Sequence, residues 1–153
     1  DLNGRIRELE NSWNEIASEY QARAEQIFGT SLPADITVYL TINNRCPYDI
    51  ENNSFFVSLS NEFPMRTIMH ELWHFYTWYG LGADQLEKLG KEKYNDLKES
   101  LTVLLNIECK DLLPVGAEDA GYPQHQELRN KIVRLWLQEK DICKVWETLA
   151  KEI

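Results

Sequence analysis

Basic residues, thiols and histidines are all scarce in this chain of 153 residues. Sixteen Lys and Arg stand against 25 Asp and Glu, a formal charge of -9. The long-range field therefore repels phosphate backbones and anionic lipid, which argues against nucleic acid or a membrane surface as a partner. No apolar run approaches the roughly 18 residues that a bilayer span requires. The opening Asp1-Leu2-Asn3-Gly4-Arg5 is polar and does not read as a secretory leader, so a cytoplasmic protein is expected. The three cysteines, Cys46, Cys109 and Cys143, lie far apart and form no C-x-x-C pair. That spacing argues against a disulfide framework or an all-thiolate zinc cluster, and reduced structural thiols are the expectation. No internal repeat or low-complexity tract is present, and 43% hydrophobic residues at this length suit one compact domain, residues 1–153.

Hydrophobic periodicity orders the elements. Leu2, Ile6, Leu9, Trp13, Ile16, Tyr20, Ala24 and Ile27 repeat at intervals of three and four, which predicts an amphipathic helix ending near Gly29. Ile36, Val38, Leu40 and Ile42 alternate with Thr37, Tyr39 and Thr41, the pattern of a strand with one buried face. Ser54 to Ser60 predicts a second strand. Asn61 is placed to cap a helix with Pro64 in its first turn, running to Tyr79 and stopping at Gly80. A short helix near Asp84 to Leu89, a long one from Lys91 to Cys109, a loop after Pro114 and two final helices, Gln126 to Glu139 and Ile142 to Glu152, complete the reading. Asp141 caps the last. The fold class is α+β, mostly helical, with a small sheet.

The chemistry concentrates in Met69-His70-Glu71-Leu72-Trp73-His74-Phe75, which holds two of the three histidines as H-E-x-x-H inside a predicted helix. Shuffled sequences of this composition yield that pattern on the order of half a percent of the time. Residues four apart on a helix lie nearly above one another, so His70 and His74 can aim their imidazoles at one ion with Glu71 flanking the same edge. The aromatic residues Trp73, Tyr76, Trp78 and Tyr79 imply a helix covered on much of its circumference, and a covered polar stripe needs partners. Two imidazoles and one carboxylate suit zinc, Zn2+, with a fourth place for water. Glu99, Asp96, His125, Glu118 and Asp119 are the candidates for the third ligand. Glu99 is favoured, because its helix face is solvated before it at Glu92 and Asn95 and apolar after it at Val103 and Ile107.

These residues resemble the gluzincin branch of the zincin metallopeptidases, in which an H-E-x-x-H helix is followed by a helix that supplies a glutamate ligand. The likeness covers roughly Ile36 to Ile107 and implies a minimal zincin-like domain: a backing helix, a small sheet, the H-E-x-x-H helix, a glutamate helix and C-terminal helices. It further implies His70, His74 and Glu99 as zinc ligands, Glu71 as general base on a zinc-activated water, and a peptide or protein as substrate. The family often places an acidic residue four positions after the ligand glutamate to orient a histidine. Here that place is Val103, which leaves Thr102, Asn106 or Asp96 for the role. Tyr122 and His125 are candidate catalytic donors to the oxyanion. In zincins the strand preceding the active helix lies at a sheet edge, which implies Ser54 to Ser60 as the substrate-binding strand, with Phe56 and Trp78 as linings. Two alternatives share these motifs: a small regulatory peptidase resembling ImmA and IrrE, and a latent or non-catalytic metal-bearing module in which the apolar C-terminal helices block the cleft. The missing G-x-x-H extension after His74 excludes the metzincin branch. Cys46 is a remote candidate ligand in the manner of the peptide deformylases.

Overall fold

A computed structural model describes residues 1–45 and 47–153. Cys46, and with it the expectation about that thiol, lies outside the described residues. The chain is an α+β fold, mostly helical, with a small three-stranded sheet. Helix α1 (Leu2–Phe28) begins on the side chain of Asp1, which accepts from the backbone N–H groups of Asn3 and Gly4, and ends at Gly29 in the left-handed conformation (φ 65°). Strand β1 (Thr37–Thr41) pairs in parallel with β3 (Ser54–Ser58), and the short β2 (Tyr48–Asp49) pairs with β3 in antiparallel sense on its other side.

The central position of β3 corrects one expectation. β1 pairs with it along its whole length and β2 with its start at Ser54 and Phe55, while the Phe56 N–H donates to the Pro47 carbonyl (3.2 Å), so the strand begins between two neighbours rather than at the sheet edge. Four of its five side chains are buried, which is what a strand covered on both faces demands. Strand β1 departs from expectation in the opposite way: Val38 and Tyr39 are exposed and Ile42 is 86% exposed. The strand lies at the sheet margin beside the N-terminal half of α1, across an apolar groove of about 790 Å³ lined by Ile6, Leu9, Trp13, Val38 and Leu40 among others.

Helix α2 (Pro64–Leu81) carries the H-E-x-x-H segment. Pro64 occupies its first turn as expected, but Asn61 does not cap it. Asn61 instead accepts from the N–H of Phe63 (2.9 Å) and donates to Thr67 Oγ1 (2.6 Å), bracing the turn before the helix. Gly80 does not stop the helix either. A Cβ there would lie 2.8 Å from Phe28 Cβ and 2.9 Å from the Phe28 carbonyl oxygen, so this glycine marks the close approach of α1, and the helix ends only at Gly82. Tyr20 fixes the same pair of helices by donating to the Met69 carbonyl (2.8 Å) within a cluster of Trp13, Phe28, Trp73 and Tyr76.

Helix α3 (Asp84–Leu89) precedes α4 (Lys91–Leu101). The single helix expected to Cys109 is broken: a 3-10 turn at Thr102–Leu104 separates α4 from a short α5 (Leu105–Glu108). The break falls at Thr102, whose hydroxyl lies 2.8 Å from the Glu99 carbonyl oxygen and 2.7 Å from Asp119 Oδ1, so a side chain competes with the regular ladder there. After a loop, a 3-10 turn at Pro123–His125 leads into α6 (Gln126–Glu139), and α7 (Ile142–Glu152) starts on Asp141, which accepts from the N–H of Lys144. Ile132, Trp136, Ile142, Val145, Trp146 and Leu149 are buried in the same core as Tyr94, Leu97 and Leu101 of α4. The apolar C-terminal segment is therefore core material; Val133 is only half-buried. Cys109 is buried and Cys143 exposed, both as free thiols. No described helix is long and apolar enough to cross a membrane.

Candidate metal centre

The middle of α2 is covered on nearly every side: Met69, Trp73 and Phe75 are fully buried, Glu71 is 8% exposed, and His74 is 2% exposed. Helical spacing of four sets the His70 and His74 rings 4.5 Å apart, at 80° to one another. Ring nitrogens of both and a carboxylate oxygen of Glu71 lie within 4.8 Å of one another, a group that could hold a metal ion.

Helix α4 supplies the fourth side chain. Glu99 Oε2 stands 3.5 Å from His70 Nε2 and 3.4 Å from His74 Nε2. One oxygen thus sits between two imidazoles at separations long for hydrogen bonds. They match the spacing of about 3.3 Å that ligands acquire around a tetrahedral ion with bonds near 2.05 Å. Trp73 of α2 donates to the Leu101 carbonyl of α4 (3.2 Å) and so helps set the distance between the helices that carry His70, His74 and Glu99.

The orienting acid is Asp119. Its Oδ2 accepts from His70 Nδ1 across 2.6 Å, which fixes the ring and leaves Nε2 facing Glu99. Asp119 is 5% exposed and is itself held from several elements. Its Oδ1 is met by Thr102 Oγ1 (2.7 Å) and Arg129 (3.1 Å), its N–H donates to Asn106 (2.8 Å), and its carbonyl accepts from Asn106 Nδ2 (2.7 Å) and from Arg129. Thr102 and Asn106, expected as possible partners of a histidine, serve instead by holding the loop carboxylate that does this. The sequence gives no sign of Arg129, because nothing in the periodicity of α6 marks a guanidinium as buried. The only hint is Gly121, whose Cβ would fall 2.6 Å from the guanidinium, at a φ of 68° that favours glycine in any case.

The charges are unequal by design of the surroundings. Burial alone would lower the His70 pKa, but the hydrogen bond to Asp119 and the nearby Glu99 carboxylate raise it to about 10. Burial, reinforced by the charge on His70, drives His74 down to about 4, so that ring is neutral. Glu71 is pushed up to about 7, chiefly by burial. Glu99, for which burial acts upward, is held well below the ordinary carboxylate range by the two imidazoles and Lys98. A proton on His70 thus occupies the position of positive charge among Glu99, Glu71 and Asp119. The donor set fits a divalent cation in its place, with one neutral imidazole, one exchangeable for its proton, and a carboxylate between them.

The remaining expected residues make other contacts. His125 Nε2 pairs with Asp96 Oδ1 (2.9 Å), Tyr122 packs edge-on against His125, and no described contact of either reaches His70, Glu71, His74 or Glu99. Glu118 reaches α2 only through its carbonyl, which accepts from Arg66 (3.4 Å). Phe56 lies tilted against Tyr39 and Trp78 packs edge-on against Tyr94, and no described ring contact of either reaches an imidazole. Two side chains absent from the expectations do border the site. The Tyr48 ring of β2 lies 5.3 Å from that of His74, and Lys98 lies 3.2 Å from Glu99 Oε1. No protein-family model matches the chain, and neither a curated protein nor a solved structure matches it.

Proposed function

We propose that the chain is a zinc-dependent peptidase of the gluzincin type. The observation that carries this reading is the convergence of His70 Nε2 and His74 Nε2 on one oxygen of Glu99, with the Glu71 carboxylate buried on the same edge. Two imidazoles and a carboxylate, without a thiolate, are a donor set that suits zinc. His70, His74 and Glu99 would hold the ion, and when bound it supplies the positive charge that acidifies a water and polarises a carbonyl.

The protein's own groups do the rest. Glu71, whose surroundings bring its pKa to about 7, accepts a proton from the water at neutral pH and passes it to the leaving amine. Asp119 holds His70 in the tautomer that leaves Nε2 for the ion. The open sheet edge nearest the imidazoles is β2, and an extended peptide would lie along it, bonded through its backbone.

Elemental analysis of protein purified without chelator tests the ligand set, with about one zinc per chain expected. Glu71→Gln should retain the metal and lose cleavage of a peptide library. Absence of metal overturns the proposal, and so does cleavage undiminished by that change. Metal retained with no cleavage by the unaltered protein favours a non-catalytic metal-bearing module instead.

A further inference from the structure

Lys98 is 4% exposed, although it lies in the charged run Lys91 to Glu99 that reads as a solvated helix face. A buried ammonium is costly unless it is paired and hydrogen-bonded. Its described partners are two: Glu99 Oε1 at 3.2 Å and the hydroxyl of Tyr48, to which Nζ donates across 3.0 Å. Nζ also lies 4.4 Å from the centre of the Tyr48 ring.

Successive residues on a helix point about 100° apart and do not ordinarily meet. The contact between Lys98 and Glu99 is therefore not a default of their adjacency. Tyr48 reaches in from β2 and holds the ammonium at the Glu99 carboxylate. The two oxygens of Glu99 consequently divide their work: Oε2 faces the imidazoles of His70 and His74, while Oε1 is occupied by Lys98. A carboxylate that chelates an ion through both oxygens must turn both toward it, and this one is restrained from doing so.

We infer that Lys98, held by Tyr48, is a positioning residue that restricts Glu99 to ligation through a single oxygen and keeps the metal site four-coordinate. The inference rests on the metal site proposed above. It ties the sheet edge along which a substrate would lie to the geometry of the ion, so that one side-chain pair sets both.

Cobalt(II) is the probe, because its visible absorption reports coordination number without any turnover. Metal-free protein is titrated with Co2+, and affinity is read by competition with a chromophoric chelator. The unaltered protein should give the intense band of a four-coordinate ion. Lys98→Met should lower that band by about twofold or more, as Glu99 turns its second oxygen to the ion, without weakening binding, since a nearby positive charge is removed. Tyr48→Phe, which leaves the ammonium in place without its second partner, should lower the band by less. A Lys98→Met protein with the unaltered band, or with weakened binding, overturns the inference. Should that variant fail to fold, Tyr48→Phe decides it, and an unchanged spectrum there overturns it equally. Failure of the unaltered protein to take up Co2+ overturns the metal site itself, and is distinguished because it precedes any variant.

Discussion

His70 donates from Nδ1 to Asp119 Oδ2 across 2.6 Å, and this bond joins the H-E-x-x-H helix to a loop 49 residues further along the chain. Without it the ring is free to turn, and Nε2 loses its fixed aim at Glu99. The acid is also the hub of a buried network with Thr102, Asn106 and Arg129. Asp119→Asn keeps the shape and removes the charge. It should weaken metal binding by about 10- to 100-fold and cost about 3 kcal/mol of stability, since Arg129 is left buried without its counter-charge. Chelator competition and urea denaturation measure the two effects. Unaltered metal affinity would remove Asp119 from the site.

Metal uptake should release a proton. With its pKa raised to about 10, His70 is protonated in the metal-free protein at neutral pH, whereas His74 near 4 is not. A cation must displace the His70 proton, so affinity should rise about tenfold per pH unit between about pH 7, above which Glu71 is already ionised, and about pH 10. Calorimetric titrations in buffers of different ionisation enthalpy count the proton. A value near zero at neutral pH contradicts the charge assignment.

Glu71 makes the metal-free protein sensitive to alkali. Its carboxyl has a folded-state pKa of about 7 against an ordinary 4.5, because burial favours the neutral acid. The sign follows from linkage: a raised pKa contributes stability that is complete below about 4.5 and is lost as the pH rises through about 7. Glutamine mimics the neutral acid at every pH. Metal-free Glu71→Gln should match the unaltered protein at low pH and exceed it on the order of 2–3 kcal/mol above about pH 8. Parallel denaturation curves across the whole range would refute the burial argument.

Gly80→Ala tests the contact between α1 and α2. Alanine gains about 1 kcal/mol of helix propensity over glycine, but its methyl would meet Phe28 at 2.8 Å, against both side chain and backbone. Overpacking of that kind typically costs about 1–3 kcal/mol, so a net loss of stability is expected in thermal or urea unfolding. A stabilised variant would show that the two helices can separate without cost.

Much of the fold is legible in the chain because it depends on local periodicity. The limits of α1, α3, α6 and α7 follow from spacing, from the stop at Gly29 and from the cap at Asp141, where the deciding atoms are neighbours in sequence. The misreadings share another cause. Gly80 reads as a stop until Phe28 is known to press on it, Thr102 breaks a periodic helix for a carboxylate 17 residues away, and β3 reads as an edge until the short β2 is found beside it. In the site, His70, Glu71 and His74 are legible as a motif, and Glu99 through the change of polarity along its helix face. Asp119, a candidate ligand in the sequence, is instead hydrogen-bonded to His70 Nδ1. Lys98 and Arg129 left no trace, because burial of a long charged side chain depends on what packs over it.

By itself, the sequence determined which side chains share a helical face, since a spacing of four residues fixes the separation of His70 and His74 wherever that helix lies. Only the tertiary structure decided what meets them. Glu99, Asp119, Lys98 and Tyr48 arrive from three other segments, and their places follow from how α2, α4, β2 and the loop before α6 bury their apolar surfaces together. Hydrophobic burial is proportional to area and blind to direction. The pattern of apolar residues therefore specifies that such faces must pack, and the packed solution alone selects the polar groups brought into contact.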